Sequence, residues 1–505
     1  MRFVVGQRLD IEEYKATIRF VGQIPPADTI WLGVEWDDPD RGKHSGEHKG
    51  TSYFTVRVPG SASFIKANLK NIRTGRDFIE ALRERYLMKG DKIEDIEVSL
   101  GPGTKKAIET VGWDKIYKKQ KRLDTLREVG LKDMLIDRRR TEKGSIKETC
   151  GAIQDLDLSR NLFESWEHVA EICIELEQLE SLRLNFCRFT PMNNLPQDLT
   201  NAFAHIKILG INRTFLRWKD IQALEPHLPS LEELHAGHND IDSFTDSVDG
   251  FKKLLLLNIE GNLIKSWDEV RKLRILPSLQ NLMLNDNQLE GVDPVTDYTE
   301  FISLKTINLN SNKITSWNSV HNLNSFPALL EIRLKLNPVT DSIEELDKRA
   351  IFLLARLCKV TRLNGSSISE KRRNDAEIYY LDNACARDKA DLPKEEFEKR
   401  HPLYPHLVKK HGEPELPSDK VLNKTIKDGL LSLRFIKGDE EITKGVPHKM
   451  KIRALKSLIS RLFKTTRVEL VAKMADGRDV ELNDELRDLY FYSIEDDDVI
   501  HVKNA

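Results

Sequence analysis

From Ile153 to Val339 the apolar positions obey one rule, L-x-x-L-x-L-x-x-N-x-L, with starts at Ile153, Leu179, Ile206, Leu231, Leu254, Leu279, Leu304 and Leu329. Successive starts lie 23 to 27 residues apart. Each unit predicts a short strand whose alternate apolar side chains point into a stacked core. A turn follows, where Asn161, Asn239, Asn262, Asn287, Asn312 or Asn337 can satisfy buried backbone groups; Cys187 and Thr214 hold that place in the other two units. "SWEHV", "SWDEV" and "SWNSV" follow the turn at Ser165, Ser266 and Ser316, and their tryptophans are expected to pack the convex side of the stack.

The period and the turn asparagine are those of leucine-rich repeats, which present a concave sheet to a macromolecule. The strand positions expected to face outward include Arg183, Asn185, Glu232, Glu233, His235, Lys305, Asn308, Arg333 and Lys335. Their mixed charge favours a protein partner over nucleic acid. A stack needs caps. Residues 76–150 read as a helical connector or N-terminal cap, 151–345 as the repeats, and 346–390 as a C-terminal cap resembling those of many leucine-rich-repeat proteins. A Pro-dotted linker over 391–427 leads to a last domain over 428–505.

Charge and cysteine content narrow the function classes. Lys+Arg 79 against Asp+Glu 81 leaves a formal net charge of -2, so no basic field points to nucleic acid or a membrane surface. No apolar run resembles a signal peptide or a membrane span, so a soluble cytoplasmic protein is expected. Cys150, Cys173, Cys187, Cys358 and Cys385 show no C-x-x-C spacing, which suits reduced thiols and predicts neither a metal site nor a reactive nucleophile. No cofactor motif and no enzyme are expected.

Residues 1–75 read as short strands, "ATIRFVG", "WLGVEWD", "TSYFTVRV" and "SFIKANL", broken by turns. Between two of them lies "GKHSGEHKGTSYF". It lacks the Walker pattern and opens no helix, and His44 and His48 have no further ligand placed to complete a metal set. The span resembles a CAP-Gly domain, whose signature G-K-N-D-G followed by G-x-x-Y-F stands here as Gly42, Lys43, His44, Ser45, Gly46, then Gly50, Tyr53 and Phe54. The resemblance implies a groove for the C-terminus of partners ending Glu-Glu-Tyr or Glu-Glu-Phe, notably α-tubulin. Lys43 would pair with a carboxylate, Trp31 and Phe64 would wall the slot for the terminal ring, and Lys66 would stand at its side. His44 replaces the family's Asn and Ser45 its Asp; losing the Asp is expected to loosen the loop.

The last domain reads as strand "LLSLRFI", basic amphipathic helix "KMKIRALKSLISRLF" and strand "RVELVAK", and "RDLYFYSIEDDDVIHV" resembles the final segment of ubiquitin. The chain ends without Gly-Gly, so conjugation is not expected. Aligned with ubiquitin, Glu469 and Lys503 fall in its apolar contact patch, which counts against carrying over partners such as the proteasome. The fold class is therefore multidomain: a small all-β CAP-Gly barrel, an α/β leucine-rich-repeat solenoid and an α+β ubiquitin-like β-grasp domain. That order of modules resembles the tubulin-folding cofactor E family. The resemblance implies a non-enzymatic chaperone of the cytoplasm and cytoskeleton. It would bind α-tubulin by its tail and body, and act with the other tubulin cofactors and β-tubulin to assemble and dissociate the αβ heterodimer. The alternative is a microtubule-end adaptor using the same groove, although no sustained heptads or basic arm accompany it.

Overall fold

The computed structural model describes residues 3–504 except 69, 88–96, 100–104, 108–121, 191–193, 247, 249, 344, 415–429, 439, 448–449, 466–467, 474–478, 486, 493 and 495–497. The chain divides into two compact units, Met1–Tyr380 with Glu398–Leu403, and Leu381–Phe397 with Tyr404–Ala505.

In the first unit, β1 (Arg8–Ile11), β2 (Tyr14–Ile24) and β3 (Ala27–Trp36) form antiparallel hairpins, followed by the two-residue strands β4 (Glu47–His48) and β5 (Thr51–Ser52). With β6 (Ala62–Lys66) and β7 (Ile72–Thr74) they make a five-stranded sheet in the order β6-β3-β2-β1-β7. Its core is small: Leu9, Ile11, Ala16, Ile18, Leu32, Val34 and Trp36. The opposite face of β2, β3 and β6 is thereby left free for other work.

β8 (Arg76–Asp77) pairs with Ile136–Arg138, and α1 (Phe78–Leu87) follows. Asp77 Oδ1 accepts from the amides of Ile79 and Glu80 at 2.8 and 3.1 Å, so it starts this helix as an N-cap does. Phe78, Ile79, Ala81 and Leu82 join the solenoid core. The solenoid is an 11-stranded sheet, parallel from Glu128–Gly130 to Arg362–Leu363 and closed by Ser366–Ser367. The connector expected over 76–150 is therefore only partly helical, because Glu128–Gly130 pairs in register with Asp155–Asp157 and opens the stack one strand early.

The turn asparagines act as the sequence pattern implies. Asn262 Oδ1 accepts from the amides of Asn239 and Ile241, both at 2.9 Å, while its Nδ2 donates to the carbonyls of Ala236 (3.1 Å) and Ile259 (2.9 Å). Each such amide reaches back one repeat, as Asn161 does to Met134 and Ile136. Ser165, Ser266 and Ser316 cap the convex helices. Trp166 and Trp267 are buried in the core behind them, and Trp166 stacks on Phe189 at 4.4 Å.

After the stack, Glu370–Tyr380 forms a helix in the first unit. Further on, Lys394–Arg400 and Tyr404–His411 are helical where a linker was expected. Pro393 and Pro405 sit at or before the first helical turn, where a missing N–H costs nothing, and Phe397 and Leu407 are buried. The rest of the expected linker, 415–427, lies outside the described residues. The terminal domain is a five-stranded sheet ordered Glu440–Pro447, Leu430–Lys437, Val499–Asn504, Val468–Lys473, Asp479–Glu481. The helix Ile452–Leu462 packs Ile452, Leu455 and Ile459 onto it. The two central strands run parallel, the β-grasp arrangement. Glu469 stands opposite Lys503, and Val471 opposite His501, which in turn faces Ile436.

Candidate functional site: an aromatic groove on the barrel

Along β3, Leu32, Val34 and Trp36 face the barrel core, so Trp31, Gly33 and Glu35 face outward. Registers place Lys66 beside Trp31 and Phe64 beside Gly33 on β6, and Gly22 and Phe20 beside them on β2. A Cβ on Gly33 would lie 2.2 Å from the Phe54 ring, so only glycine lets Phe54 lie flat on the sheet.

The glycine loop is stitched to β6. Lys43 donates its amide to the Ala62 carbonyl at 2.7 Å, and Ala62 donates to the His44 carbonyl at 2.9 Å. Gly42 is hemmed in, since a Cβ would meet the Gly60 carbonyl oxygen at 1.8 Å. Gly46 combines a φ of 108° with a Cβ position 2.0 Å from the Phe54 carbonyl oxygen, so no other residue fits. Ser45, in the place of the family's Asp, keeps two hydrogen bonds within the loop region. Its Oγ accepts from the Gly60 amide at 3.0 Å and its own amide donates to Glu47 at 3.0 Å, so the hydroxyl anchors the loop.

His44 does more than replace an amide. Its ring stacks on Phe64 at 4.8 Å and 27°, and its Nδ1 accepts from the Gly46 amide at 3.0 Å. Burial pulls its pKa below the ordinary 6.5, with His48 adding to the effect and Glu47 opposing it, so the ring is neutral at pH 7 and leaves Nε2 as a donor. Around Phe64 stand Phe54 (5.5 Å), Tyr53 (5.6 Å), His48 (6.2 Å) and Phe20 (6.3 Å), mostly edge to face. Lys43 is exposed at the rim. The Lys66 ammonium lies 5.8 Å from the Trp31 ring centroid, and the Trp31 indole N–H is buried without a hydrogen-bond partner. All ten expected residues thus lie in one region of the barrel: an aromatic floor around Phe64, a Trp31–Lys66 pair on the neighbouring register, and the loop Gly42–Gly46 as rim. Phe20 and Gly33 belong to it as well and were not foreseen. This surface can take a flat ring on its floor and a carboxylate at Lys43.

On the solenoid the expected outward residues divide. Arg183, Glu233, His235, Asn308 and Arg333 sit on strands. Their charges are largely spoken for. Arg183 holds Asp155 at 2.7 and 2.9 Å, His235 lies 3.5 Å from Glu233, and Arg333 holds Glu331 at 3.0 Å. Asn308 is buried and donates to Asn285 at 2.9 Å, so it is structural. Glu232 and Lys305 lie one residue before their strands and belong to the corner. There their carbonyls each take two amides of the next repeat. Lys335 is exposed just past its strand. Among the strand residues stand half-buried apolar side chains: Ile208 and Leu256 on either side of Glu233, and Met283 between Asn258 and Asn308.

Among the described residues no group of three or more His, Cys, Asp or Glu could hold a metal, and no helix is long and apolar enough to cross a membrane. Burial pushes the thiols of Cys150 and Cys187 up to about 12, and that of Cys173 up as well.

A family model for the CAP-Gly domain matches residues 5–69. The chain is 33% identical to tubulin-specific chaperone E of Xenopus laevis over 97% of its own length and 96% of that protein. It is 32% identical to tubulin-folding cofactor E of Arabidopsis thaliana, covering 92% and 90%. The solution structure of the C-terminal ubiquitin-like domain of mouse tubulin-specific chaperone E matches 16% of the chain and 95% of that domain at 28% identity, with a TM-score of 0.15.

Proposed function

The chain belongs to the tubulin-specific chaperone E family, and from that premise we propose that it is a tubulin-folding chaperone which holds α-tubulin at two places. The barrel groove grips the acidic C-terminal tail ending Glu-Glu-Tyr, and the concave sheet engages the folded body. With the other tubulin cofactors and β-tubulin it assembles the αβ heterodimer and takes it apart. Binding energy alone drives these steps; no nucleotide site enters the mechanism.

The observation that carries this reading is the aromatic floor around Phe64, roofed by a neutral His44 and flanked by Lys43. A terminal tyrosine ring packs edge to face on such a floor, worth roughly 0.5–1.5 kcal/mol beyond its buried area. Its α-carboxylate reaches Lys43 and the His44 Nε2 donor, both charge-assisted contacts. The preceding glutamates remain in water beside Lys66. Half-buried Ile208, Leu256 and Met283, interspersed with Glu233, His235 and asparagines and with ion pairs further out, give the solenoid face the mixed composition of a protein-binding surface.

The test is fluorescence anisotropy with the full-length protein and an acidic peptide ending Glu-Glu-Tyr. The same peptide lacking its Tyr and a Lys43→Ala protein serve as controls. Binding is expected to need both the Tyr and Lys43. A peptide that binds equally well without its Tyr would overturn the groove reading. Co-sedimentation with polymer separates the chaperone from a microtubule-end adaptor, which would pellet with microtubules in preference to binding free heterodimer.

A further inference from the structure

The barrel and the solenoid touch well beyond the chain that joins them. β7 ends at Thr74 and β8 begins at Arg76, so Gly75 alone separates the barrel from the solenoid's first pairing. A Cβ on Gly75 would lie 2.2 Å from the Asp137 side chain, and Arg140 donates to the Gly75 carbonyl at 2.6 Å. No slack segment exists here.

From that clamp the barrel runs along the turns of successive repeats. Lys15 pairs with Asp133, which also lies 3.8 Å from Arg160. Asp37 is shared between Arg8 of the barrel at 2.6 Å and Arg188 of the solenoid at 3.7 Å. Burial pushes the Asp37 carboxyl up, but Arg8, Arg188 and Lys15 outweigh it and hold the group below the usual carboxylate range. Furthest along, two guanidinium groups lie over the Phe215 ring, Arg188 at 4.0 Å and Arg57 at 4.6 Å from its centroid. Arg57 also faces Asp240 and Asp220 across the seam, with Arg217 opposing, and Glu35 within the barrel. It follows Phe54 by three residues, and its amide donates to Glu35 of β3 at 2.7 Å. The segment that builds the groove is thus the segment that grips the solenoid.

We infer that the Arg57–Phe215–Arg188 stack, with the shared Asp37 beside it, is a positioning lock that holds the tail groove at one fixed displacement from the solenoid face. The lock selects a partner whose acidic, aromatic-ended tail leaves a folded body at that displacement. The inference rests on the tail-reading groove proposed above. Its physical content is effective concentration. Two contacts on a rigid frame reinforce each other strongly when the partner's geometry matches and not at all when it does not, whereas a loosely tethered groove would reward any tailed body weakly. Ordering the two domains is completed on folding, so it is not charged again on binding.

The experiment uses full-length protein as wild type, Arg57→Glu and Phe215→Ala. Arg57→Glu turns a carboxylate toward Asp240, Asp220 and Glu35; Phe215→Ala leaves every charge in place. Three quantities are measured: affinity for the Glu-Glu-Tyr peptide, affinity for αβ-tubulin heterodimer, and amide hydrogen exchange over 55–60 and 213–217. Both variants are expected to exchange faster at the seam and to lose about tenfold or more in heterodimer affinity; peptide affinity is the control in Phe215→Ala, which leaves the barrel sequence intact, and should change there by no more than about twofold. A seam that exchanges freely in the wild type would overturn the lock. So would variants that leave the seam closed, or an open seam with heterodimer affinity unchanged. Failure of the wild type to bind the peptide at all would instead remove the groove reading, and the lock with it.

Discussion

Replacing Asn262 by alanine removes one rung of the amide ladder on which the solenoid depends. Asn262 is 2% exposed, and its Oδ1 is the acceptor for the amides of Asn239 and Ile241. Of the carbonyls it serves, that of Ala236 loses its side-chain donor, while two others fare better. That of Ile259 also accepts from Asn287 at 3.0 Å, and that of Glu260 from the His238 amide at 2.8 Å. The cost therefore falls chiefly on two buried donors left without a partner, each worth ~1–3 kcal/mol, and ~4 kcal/mol together. Loss at one interface propagates to the adjoining repeats, because each repeat is stabilised by its neighbours. A chain of several domains does not unfold in one step, so hydrogen exchange read peptide by peptide is the suitable assay. Protection over 254–290 is expected to fall by roughly three orders of magnitude, the equivalent of ~4 kcal/mol. Leu263→Ala, at a neighbouring position 39% exposed, should change it by less than ~1 kcal/mol. If Asn262→Ala stays within ~1 kcal/mol of wild type, or matches Leu263→Ala, then the turn asparagine is not the strut described here.

Phe64→Ala takes away the ring that four other aromatic side chains and His44 surround; tail-peptide affinity should fall roughly thirtyfold, the ~2 kcal/mol of a central aromatic anchor, in the same anisotropy assay. Gly46→Ala forces a Cβ into the Phe54 carbonyl at a left-handed φ, so peptide binding should be lost and exchange over 42–54 should rise, while solenoid protection stays unchanged. His321 gives a pH signature. Both ring nitrogens are buried without a hydrogen-bond partner, and burial, with Arg356 and His401 nearby, lowers its pKa to about 4. Above pH 6.5 the ring is neutral folded or unfolded and adds no pH dependence. Between pH 6.5 and 4 only the unfolded chain takes the proton, so stability of the C-terminal repeats falls with pH, by ~3 kcal/mol in all. His321→Phe should flatten that slope in thermal melts recorded across the window, and an unchanged slope would assign the acid sensitivity elsewhere.

What could be read from the chain alone was whatever a local rule enforces. The eight repeats stand out because a backbone turning away from a buried strand needs an amide at a fixed offset, and asparagine supplies it. The first strand of the stack fails that search for the same reason. "LREVGLKDMLI", starting at Leu126, has the apolar spacing but carries Met134 where the asparagine belongs; the Asn161 side chain of the next repeat serves the Met134 and Ile136 amides instead. Phe20 was hidden by a different device. Strict alternation along β2 would put it on the core side with Ile18, yet the register shifts between Ile18 and Phe20, and this bulge turns the ring outward beneath Tyr53 and Phe64. The glycine loop was legible because its demands on φ and space are local to each glycine, as at Gly46.

The seam at Phe215 obeys no local rule. Arg57 reads as one more charged residue of the strand expected over "TSYFTVRV", which forms only at Thr51–Ser52, and Phe215 as an apolar residue in a turn whose template calls for none. Only the fold makes them partners, by seating the barrel along the corners of the repeats. A chain of three recognisable modules invites the picture of beads on a string, each with its own ligand. Gly75, closed in by Asp137 and Arg140, rules that picture out for the first two. On the reading proposed above, a partner engages the barrel groove and the concave face from one frame, so the affinity of either part measured alone understates, and cannot be summed to give, the affinity of the whole.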